Sequence, residues 1–314
     1  MSGGPGTPAK VRAPAGIRRI ASFMALALCA CIAAAAAAAH AQPRPELAPD
    51  KTIVYKHVGD QDLHLWVWNA AARAHSENPM GAVVLFHGGS FTKGQPRQLS
   101  ELSKILANYG LLVVSVEYRL ATLYDSDLQQ QIEDARSSMR WMRGHAKELH
   151  IDPNRIAAGG SSAGGLLALS TAVFDDVNDP SDPQSVTAAP DALVLLNPVY
   201  SPDELGPALF RAHPGSRLFS AIEALKRPLP PTLIIHGTDD GTVRFQYAQD
   251  FVQKALGVGS RTVTLKPYEG RRHGFFGDRG WQNPDFIATT QDVVDFLRSL
   301  GWIDCAADCQ VKRP

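Results

Sequence analysis

Short uninterrupted apolar runs alternate with amphipathic segments over most of this chain, and this alternation restricts the possible folds more than any other feature. Strands that are buried on both faces consist of such runs, and helix-covered parallel sheets are built from strands of this kind. We therefore predict one α/β domain with a mostly parallel central sheet and helices on both faces. The clearest runs lie at residues 82–86, 111–116, 156–158, 192–196 and 233–235.

Periodic patterns predict the remaining elements. Residues 128–149 carry apolar side chains alternately four and three positions apart, which predicts a helix with Ser126 and Gln129 as its capping box. The apolar stretches 51–58 and 63–68 flank a Gly-Asp turn and predict an antiparallel hairpin. Weaker patterns predict helices near residues 99–109, 245–256 and 285–300 and a strand at residues 262–267.

The first 41 residues have the features of an export signal. They contain four basic and no acidic residues, an apolar run at residues 20–39, and the small-x-small sequence Ala39-His40-Ala41. We predict cleavage before Gln42 and a periplasmic or secreted mature chain of residues 42–314. The alternatives are a lipoprotein attached through Cys31 and an uncleaved membrane anchor, although an alanine-rich run is a weak driver of membrane insertion.

The composition argues against nucleic-acid binding and limits the disulfides. The chain has 31 basic and 31 acidic side chains, and loss of the leader would make it slightly acidic. Nucleic-acid binding needs a surplus of Lys and Arg, so nucleic acid is not an expected partner. Cys305 and Cys309 would be the only cysteines of the mature chain, and an oxidising compartment would allow a disulfide between them.

Two segments interrupt the alternation of strands and helices. Residues 175–190 are rich in Asp, Pro and Ser, which predicts a surface loop. Residues 198–231 are rich in proline and show little periodicity. Insertions after the strands of such folds often form lids or substrate walls, and the alternative is a loose connection with one short helix.

The sequence Gly160-Ser161-Ser162-Ala163-Gly164 carries the first chemical signal. It follows a predicted strand and precedes an apolar helix, which is the context of a Gly-x-Ser-x-Gly nucleophile elbow. The tight turn presents the Ser162 hydroxyl at a helix N-terminus, where negative charge is stabilised. A phosphate-binding loop is disfavoured because neither a Walker lysine nor Gly-x-Gly-x-x-Gly spacing is present.

A nucleophilic serine needs a histidine base and a carboxylate that orients the histidine. In this fold the partners follow the serine along the chain, first the acid and then the histidine. The candidate base is His273, which comes after the last predicted strand. Asp239 and Asp240 both follow the apolar run at residues 233–235, so the pattern alone leaves the acid open between them.

The turn after residues 82–86 is the candidate oxyanion hole. It reads His87-Gly88-Gly89-Ser90, and glycines let backbone amides approach a substrate without a Cβ in the way. We predict that the amides of Gly88, Gly89 and Ala163 stabilise the oxyanion. His87 precedes the serine, and we expect it to hold the loop by hydrogen bonds rather than to act as the base.

Taken together, these motifs resemble the α/β-hydrolase fold, and within it the hormone-sensitive-lipase-like carboxylesterases and bacterial acetyl esterases. The resemblance implies that Asp240, the third residue after the glycine of the His-Gly-x-x-Asp pattern, is the acid. It also implies hydrolysis of short acyl esters through an acyl-enzyme on Ser162, with no metal or cofactor. The matching stretches are Val83-Val84-Leu85-Phe86-His87-Gly88-Gly89, Glu117-Tyr118-Arg119-Leu120, Ile151-Asp152-Pro153-Asn154-Arg155-Ile156, Ile235-His236-Gly237-Thr238-Asp239-Asp240 and His273-Gly274-Phe275.

Three features depart from the family pattern. Ser90 replaces the third glycine of the usual His-Gly-Gly-Gly, and Ser161 replaces the acidic residue that often precedes the nucleophile. The mature chain would begin about ten residues before its first predicted strand, too few for the N-terminal helical cap of many members. An uncapped, exported member resembles esterases that remove acetyl or feruloyl groups from plant polysaccharides. A serine peptidase of the same fold and a non-catalytic ligand-binding protein are the alternative functions.

Overall fold

Eight strands form one sheet in this computed structural model, which describes residues 1, 47–69, 78–205, 216–277, 280–305 and 309–311. The predicted leader lies outside the described residues except for Met1. The strand order across the sheet is β1-β2-β4-β3-β5-β6-β7-β8. The strands are β1 (Lys51–Val58), β2 (Gln61–Trp68), β3 (Met80–Phe86), β4 (Leu112–Val116), β5 (Ile151–Ser161), β6 (Ala192–Leu196), β7 (Thr232–Gly237) and β8 (Val263–Tyr268).

The strands pair antiparallel where β1 and β2 join the sheet, and they pair parallel over the rest. β1 and β2 form the predicted antiparallel hairpin, and β2 also runs antiparallel to β4. Every neighbouring pair from β4 through β3 to β8 is parallel. The carboxyl ends of these parallel strands therefore lie at one edge of the sheet, where this class of fold places its functional loops.

Helices cover both faces of the sheet, and adjacent strand residues alternate between the two cores. Val84 and Ala158 belong to one core, whereas Val83 and Ala157 belong to the other. The predicted fold class is thus confirmed. The helices are α1 (Ser100–Asn108), α2 (Ala121–Tyr124), α3 (Leu128–Gly144), α4 (Ala146–Leu149), α5 (Ala163–Val173), α6 (Ala221–Ala224), α7 (Phe245–Gly257) and α8 (Pro284–Ser299).

The first core contains side chains from α3, α5 and α7, and the second contains side chains from α1 and α8. Phe251 of α7 and Ile105 of α1 are examples of fully buried side chains on opposite sides. Burial of an aliphatic or aromatic side chain of this size contributes about 1.5–3 kcal/mol to folding. These two cores hold the sheet in place beneath the loops that follow the strands.

The structure corrects two details of the helix predicted at residues 128–149. The helix ends at Gly144, and the apolar pattern continues in the separate short helix α4. The capping box consists of Asp127 and Gln130 instead of Ser126 and Gln129, because Asp127 accepts from the Gln130 amide and Gln130 Oε1 accepts from the Asp127 amide. Ser126 is buried and donates its hydroxyl to Arg119 O.

The two interrupting segments differ in how they are held. Residues 175–190 contain no helix or strand, and arginines of α3 bind them: Arg140 Nε donates to Val186 O and Arg143 Nη1 donates to Thr187 O, each at 2.9 Å. The described parts of residues 198–231 form short 3₁₀ turns at Pro202–Leu205 and Ser216–Phe219 in addition to α6. None of the helices in the described ranges has the length and apolar character needed to cross a membrane.

Candidate active site

Ser162 lies in the sharp turn that joins β5 to α5. Its backbone has φ 54° and ψ −121°, a conformation that is strained for any residue with a Cβ. Two glycines make the turn possible: a Cβ on Gly164 would lie 2.1 Å from Phe86 O, and one on Gly160 would lie 2.3 Å from Gly164 O. The local sequence therefore fixes the serine at the carboxyl edge of the sheet with its hydroxyl beside the first turn of α5.

His273 lies in the loop after β8 and faces the serine. Its Nε2 is 2.8 Å from Ser162 Oγ, and its Nδ1 is 2.7 Å from Asp240 Oδ2. With a proton on Nδ1, the imidazole donates to the carboxylate and accepts from the serine hydroxyl. About one fifth of the His273 side chain is exposed (21%), so its ring is held between the two partners but remains reachable from solvent.

The structure distinguishes the two candidate acids that the sequence pattern left open. Asp240 is buried and contacts His273, whereas Asp239 is exposed. The other carboxylate oxygen of Asp240, Oδ1, accepts from the amides of Thr242 and Val243, each at 2.9 Å. Backbone bonds also join the acid loop to the histidine loop, since the Asp239 amide donates to Arg271 O.

The environment of Asp240 keeps its carboxyl group ionised. Burial by itself would raise the pKa of this carboxyl group. Hydrogen bonds from His236, His273 and the Val243 amide stabilise the charged form, and together with the charge of His273 they hold the pKa well below its usual range. Asp240 is therefore a carboxylate at neutral pH and is able to stabilise a positively charged His273.

The three predicted oxyanion-hole residues lie in the loop after β3 and at the start of α5. A Cβ on Gly88 would be 3.3 Å from Ser162 Cβ, so the Gly88 backbone passes directly beside the nucleophile. Gly89 has φ 130°, and its carbonyl accepts from the amides of Thr92 and Lys93, which closes the turn. Ala163 opens α5, and its amide is one of the N-terminal N–H groups without a partner inside the helix.

His87 anchors the oxyanion loop. Its ring stacks on Tyr118 with centroids 4.4 Å apart, and its Nδ1 bonds to Gly88 O at 2.9 Å. Tyr118 donates its hydroxyl to His87 O at 2.9 Å. Burial lowers the pKa of His87 to about 4, so the ring is neutral at pH 7. These contacts agree with the expected loop-holding role and place His87 outside the line of Ser162, His273 and Asp240.

Two of the three departures from the family pattern, Ser90 and Ser161, lie close to the nucleophile in the sequence or the structure. Ser90 has φ 53°, so a residue with a Cβ occupies a left-handed position that the usual glycine adopts without strain. Ser161 lies with its Oγ 3.2 Å from the site of a Cβ on Gly88. At this position the chain thus has a small neutral hydroxyl beside the Gly88 backbone.

Two further side chains contact the site and were not predicted from the sequence. Asn197, directly after β6, is buried and places Nδ2 3.3 Å from His273 Nδ1 and 3.4 Å from His273 Nε2. Both ring nitrogens already have partners, so this amide lies over the face of the imidazole. His236, near the end of β7, places Nε2 3.3 Å from Asp240 Oδ2. His236 belongs to the His-Gly-x-x-Asp pattern, whereas nothing in the sequence marks Asn197.

The predicted pair of C-terminal cysteines is joined, since the structure contains a Cys305–Cys309 disulfide. Gln291 of α8 binds the tail next to it: its Nε2 donates to Cys309 O, and its Oε1 accepts from the Val311 amide. This tail lies on α8, away from the sheet edge that carries Ser162. Within the described ranges, no group of three or more His, Cys, Asp or Glu side chains is arranged to hold a metal ion.

Comparisons with known proteins agree with this fold. Residues 83–212 match a family model described as alpha/beta hydrolase fold. A Thermogutta terrifontis esterase structure superposes with a TM-score of 0.76 at 30% identity, covering 84% of this chain and 98% of that chain.

Curated relatives from Mycobacterium tuberculosis match shorter parts of the chain. They include the esterase LipC, 27% identical over 63% of this chain, and the carboxylesterase NlhH, 32% identical over 43% of this chain. The chain spans about half the length of these relatives, 53% and 43% respectively. The match to 98% of the solved esterase at 30% identity, the sheet order and the serine elbow together establish that the chain belongs to the α/β-hydrolase family.

Proposed function

We propose that this protein is a serine carboxylesterase that hydrolyses short-chain acyl esters. The observation that carries the proposal is the continuous hydrogen-bonded line from Ser162 Oγ through His273 to the buried carboxylate of Asp240. At its Ser162 end, this line lies beside a glycine loop and a helix N-terminus. Both can stabilise an oxyanion. The same arrangement activates a serine hydroxyl in acyl transfer.

In the acylation step, His273 Nε2 takes the proton of Ser162 as Oγ attacks the ester carbonyl carbon. The carbonyl oxygen becomes an oxyanion and accepts hydrogen bonds from the amides of Gly88, Gly89 and Ala163. Asp240 stabilises the imidazolium, which then gives its proton to the departing alcohol. The products of this step are the free alcohol and an acyl ester on Ser162.

In the deacylation step, water replaces the alcohol. His273 takes a proton from the water as its oxygen attacks the acyl carbon, and the oxyanion forms in the same loop. Collapse of this intermediate breaks the bond to Ser162 Oγ, and His273 returns the proton to the serine. The acid is released, and every step uses only side chains and amides that already surround Ser162.

The proposed acyl length and leaving group have separate support. The esterase from Thermogutta terrifontis has been solved with propionate and with butyrate bound, which supports short acyl chains for a chain of the same fold. The sequence resembles exported esterases that deacetylate plant polysaccharides, and on that basis we include acetylated carbohydrates among the proposed substrates. The order of testing is therefore simple acetyl esters first and acetylated xylan second.

We also propose that the protein is exported and that residues 1–41 are removed. The support is the basic lead, the apolar run and the Ala39-His40-Ala41 sequence. Expression of the full chain in a bacterial host, followed by intact-mass measurement of the periplasmic fraction, tests this proposal. We expect an intact mass equal to that of residues 42–314. A cytoplasmic product of full mass would contradict export, and a lipid-modified product beginning at Cys31 would replace it with membrane anchoring.

The catalytic proposal is tested with p-nitrophenyl acetate, butyrate and octanoate. We compare the wild-type chain from Gln42 with Ser162→Ala and with the matched control Ser161→Ala, which removes the neighbouring hydroxyl. The acetyl ester should be the best substrate, Ser162→Ala should lose about 10³-fold or more in kcat/KM, and Ser161→Ala should stay within about threefold. Equal loss in both variants would contradict the assignment of Ser162.

Covalent labelling by paraoxon is a second test of the nucleophile that does not depend on the ester chosen. A Thermogutta terrifontis esterase has been solved phosphorylated by paraoxon. Here we expect one phosphoryl adduct per chain, located on Ser162 by peptide mass spectrometry and absent in Ser162→Ala. An inactive wild type that also fails to react would favour the ligand-binding alternative, and cleavage of peptides in place of esters would favour the peptidase.

A further inference from the structure

His236 is fully buried beside the proposed catalytic acid. Its Nε2 lies 2.9 Å from Val243 O and 3.3 Å from Asp240 Oδ2. The same Oδ2 atom accepts from His273 at 2.7 Å. One carboxylate oxygen of Asp240 therefore lies between two imidazoles, only one of which reaches the serine.

The neighbours of His236 define which of its nitrogens carries the proton. Both atoms that face Nε2 are acceptors, so Nε2 must carry hydrogen. Nδ1 is buried and has no hydrogen-bond partner among the described residues. The hydrogen on Nε2 is therefore the one that faces Val243 O and Asp240 Oδ2.

Two aromatic rings flank the imidazole of His236. Tyr200 stacks nearly parallel to the ring, with centroids 6.4 Å apart, and Phe245 meets it at a steep angle with centroids 5.9 Å apart. Tyr200 also packs on Phe251 of α7. The imidazole is therefore held on one side by the core, and its Nε2–H is directed at the loop of residues 237–243.

We propose that His236 is a positioning residue that holds Asp240 in the orientation used by His273. This inference rests on the proposed esterase function. The amides of Thr242 and Val243 hold Oδ1, and the Nε2 atom of His236 lies 3.3 Å from Oδ2. Rotation of the carboxylate away from His273 therefore loses the hydrogen bond from His273 and also the electrostatic contact with His236.

The shared donor also ties the acid loop to the sheet. Val243 and Asp240 lie three residues apart on that loop. The Nε2 atom of the His236 side chain on β7 is 2.9 Å from Val243 O and 3.3 Å from Asp240 Oδ2. His236 therefore acts on the loop conformation and on the carboxylate orientation together. Hydrogen bonds to charged groups of this kind change rates by about 10- to 100-fold when they are removed.

The test compares His236→Gln with His236→Asn, two polar variants that differ by one methylene group. The amide nitrogen of glutamine reaches the position of His Nε2, whereas that of asparagine stops near the position of Nδ1. We expect His236→Gln to keep kcat within about threefold of wild type. His236→Asn should lose about 10- to 100-fold in kcat with KM within about twofold, because substrate does not touch this residue.

A readout without turnover separates this inference from the proposed function. The Nδ1–H of His273 gives a far-downfield proton resonance when it is bonded to Asp240, and this signal is measured in all three proteins alongside thermal unfolding. We expect the wild-type signal in His236→Gln and a shifted or exchange-broadened signal in His236→Asn. If both variants fold and match wild type in signal and kcat, or if both lose kcat equally, the positioning role is wrong. Failure of the wild type on every ester would instead overturn the proposed function and leave the resonance comparison to decide the role of His236.

Discussion

The two halves of the candidate site are built in different ways. On the nucleophile side, backbone geometry determines the arrangement: Gly160 and Gly164 allow the turn at Ser162, and the Gly88 backbone lies beside it. On the acid–base side, side chains from separate strand ends converge, and each is held by hydrogen bonds. His273 has partners in its ring plane at both nitrogens, and Asp240 has partners at both oxygens.

This difference determines how each half responds to substitution. A backbone turn packed against other backbone has no flexible atom that can move aside. An added methyl group therefore lowers the free energy of unfolding. A side-chain network tolerates the loss of one hydrogen bond without loss of the fold, so substitutions there act on catalysis. The predictions below test this division, beginning with the largest expected effect.

Gly164→Ala should prevent stable folding. The new Cβ would lie 2.1 Å from Phe86 O and 2.5 Å from His87 O, both of them backbone atoms. We expect a loss of more than about 4 kcal/mol in the free energy of unfolding, measured by urea denaturation. The matched control is Gly144→Ala at the end of α3, where no heavy atom lies within 4 Å, and there we expect no loss or a gain of up to about 1 kcal/mol. Wild-type stability in Gly164→Ala would contradict the backbone description of this half.

Asp240→Asn should leave the fold intact and reduce kcat by about 10³- to 10⁴-fold. The amide no longer stabilises the imidazolium and also favours the wrong histidine tautomer. Asp239→Asn provides the control on the adjacent, exposed position and should stay within about threefold of wild type. Steady-state kinetics on p-nitrophenyl acetate measures both variants. A larger effect at Asp239 than at Asp240 would overturn the assignment of the acid.

The sequence predicted the nucleophile half better than the acid–base half, and the reason is local. The elbow is encoded within five consecutive residues, and its glycines mark the close backbone contacts directly. Ser162 and the loop at Gly88 were therefore identified as candidates from local motifs, and the histidine and acid that follow Ser162 in the sequence supported the choice. Asp240 was separated from Asp239 only by family resemblance, because the choice depends on which side chain the folded loop turns inward.

Convergent contacts were not predictable from one sequence. Asn197 reaches the site from the end of β6 and contacts His273, which is 76 residues away in the sequence. His236 is only four residues from Asp240, but the spacing does not show that its side chain turns towards the carboxylate. The fold class was predictable because buried parallel strands produce continuous apolar runs. The first part of β5, from Ile151 to Asn154, was not predicted as strand because it contains a proline and two polar residues.

His87→Gln should weaken the pH dependence of stability. Burial lowers the pKa of His87 to about 4, whereas an unfolded histidine has a pKa of about 6.5. Below pH 6.5 the unfolded chain binds a proton that the folded chain excludes, so stability falls as the pH falls towards 4. Between pH 7 and pH 5 this group lowers the free energy of unfolding by about 2 kcal/mol. Urea denaturation at both pH values should show a drop smaller by that amount in the variant, and an unchanged drop would mean that His87 takes up its proton while folded.

Asn197→Ala tests the outermost contact of the acid–base half, and we expect the smallest effect there. The Asn197 amide covers the face of His273, and its Oδ1 accepts from the Gly274 amide at 3.4 Å. Loss of these contacts should lower kcat by about tenfold with little change in KM. Asn197 also has φ 34°, a backbone conformation that asparagine and glycine adopt more easily than alanine. Asn197→Gly therefore restores the backbone without the amide. Equal loss of kcat in both variants would assign the effect to the side chain, and recovery in the glycine variant would show that this position acts through the backbone, as the nucleophile half does.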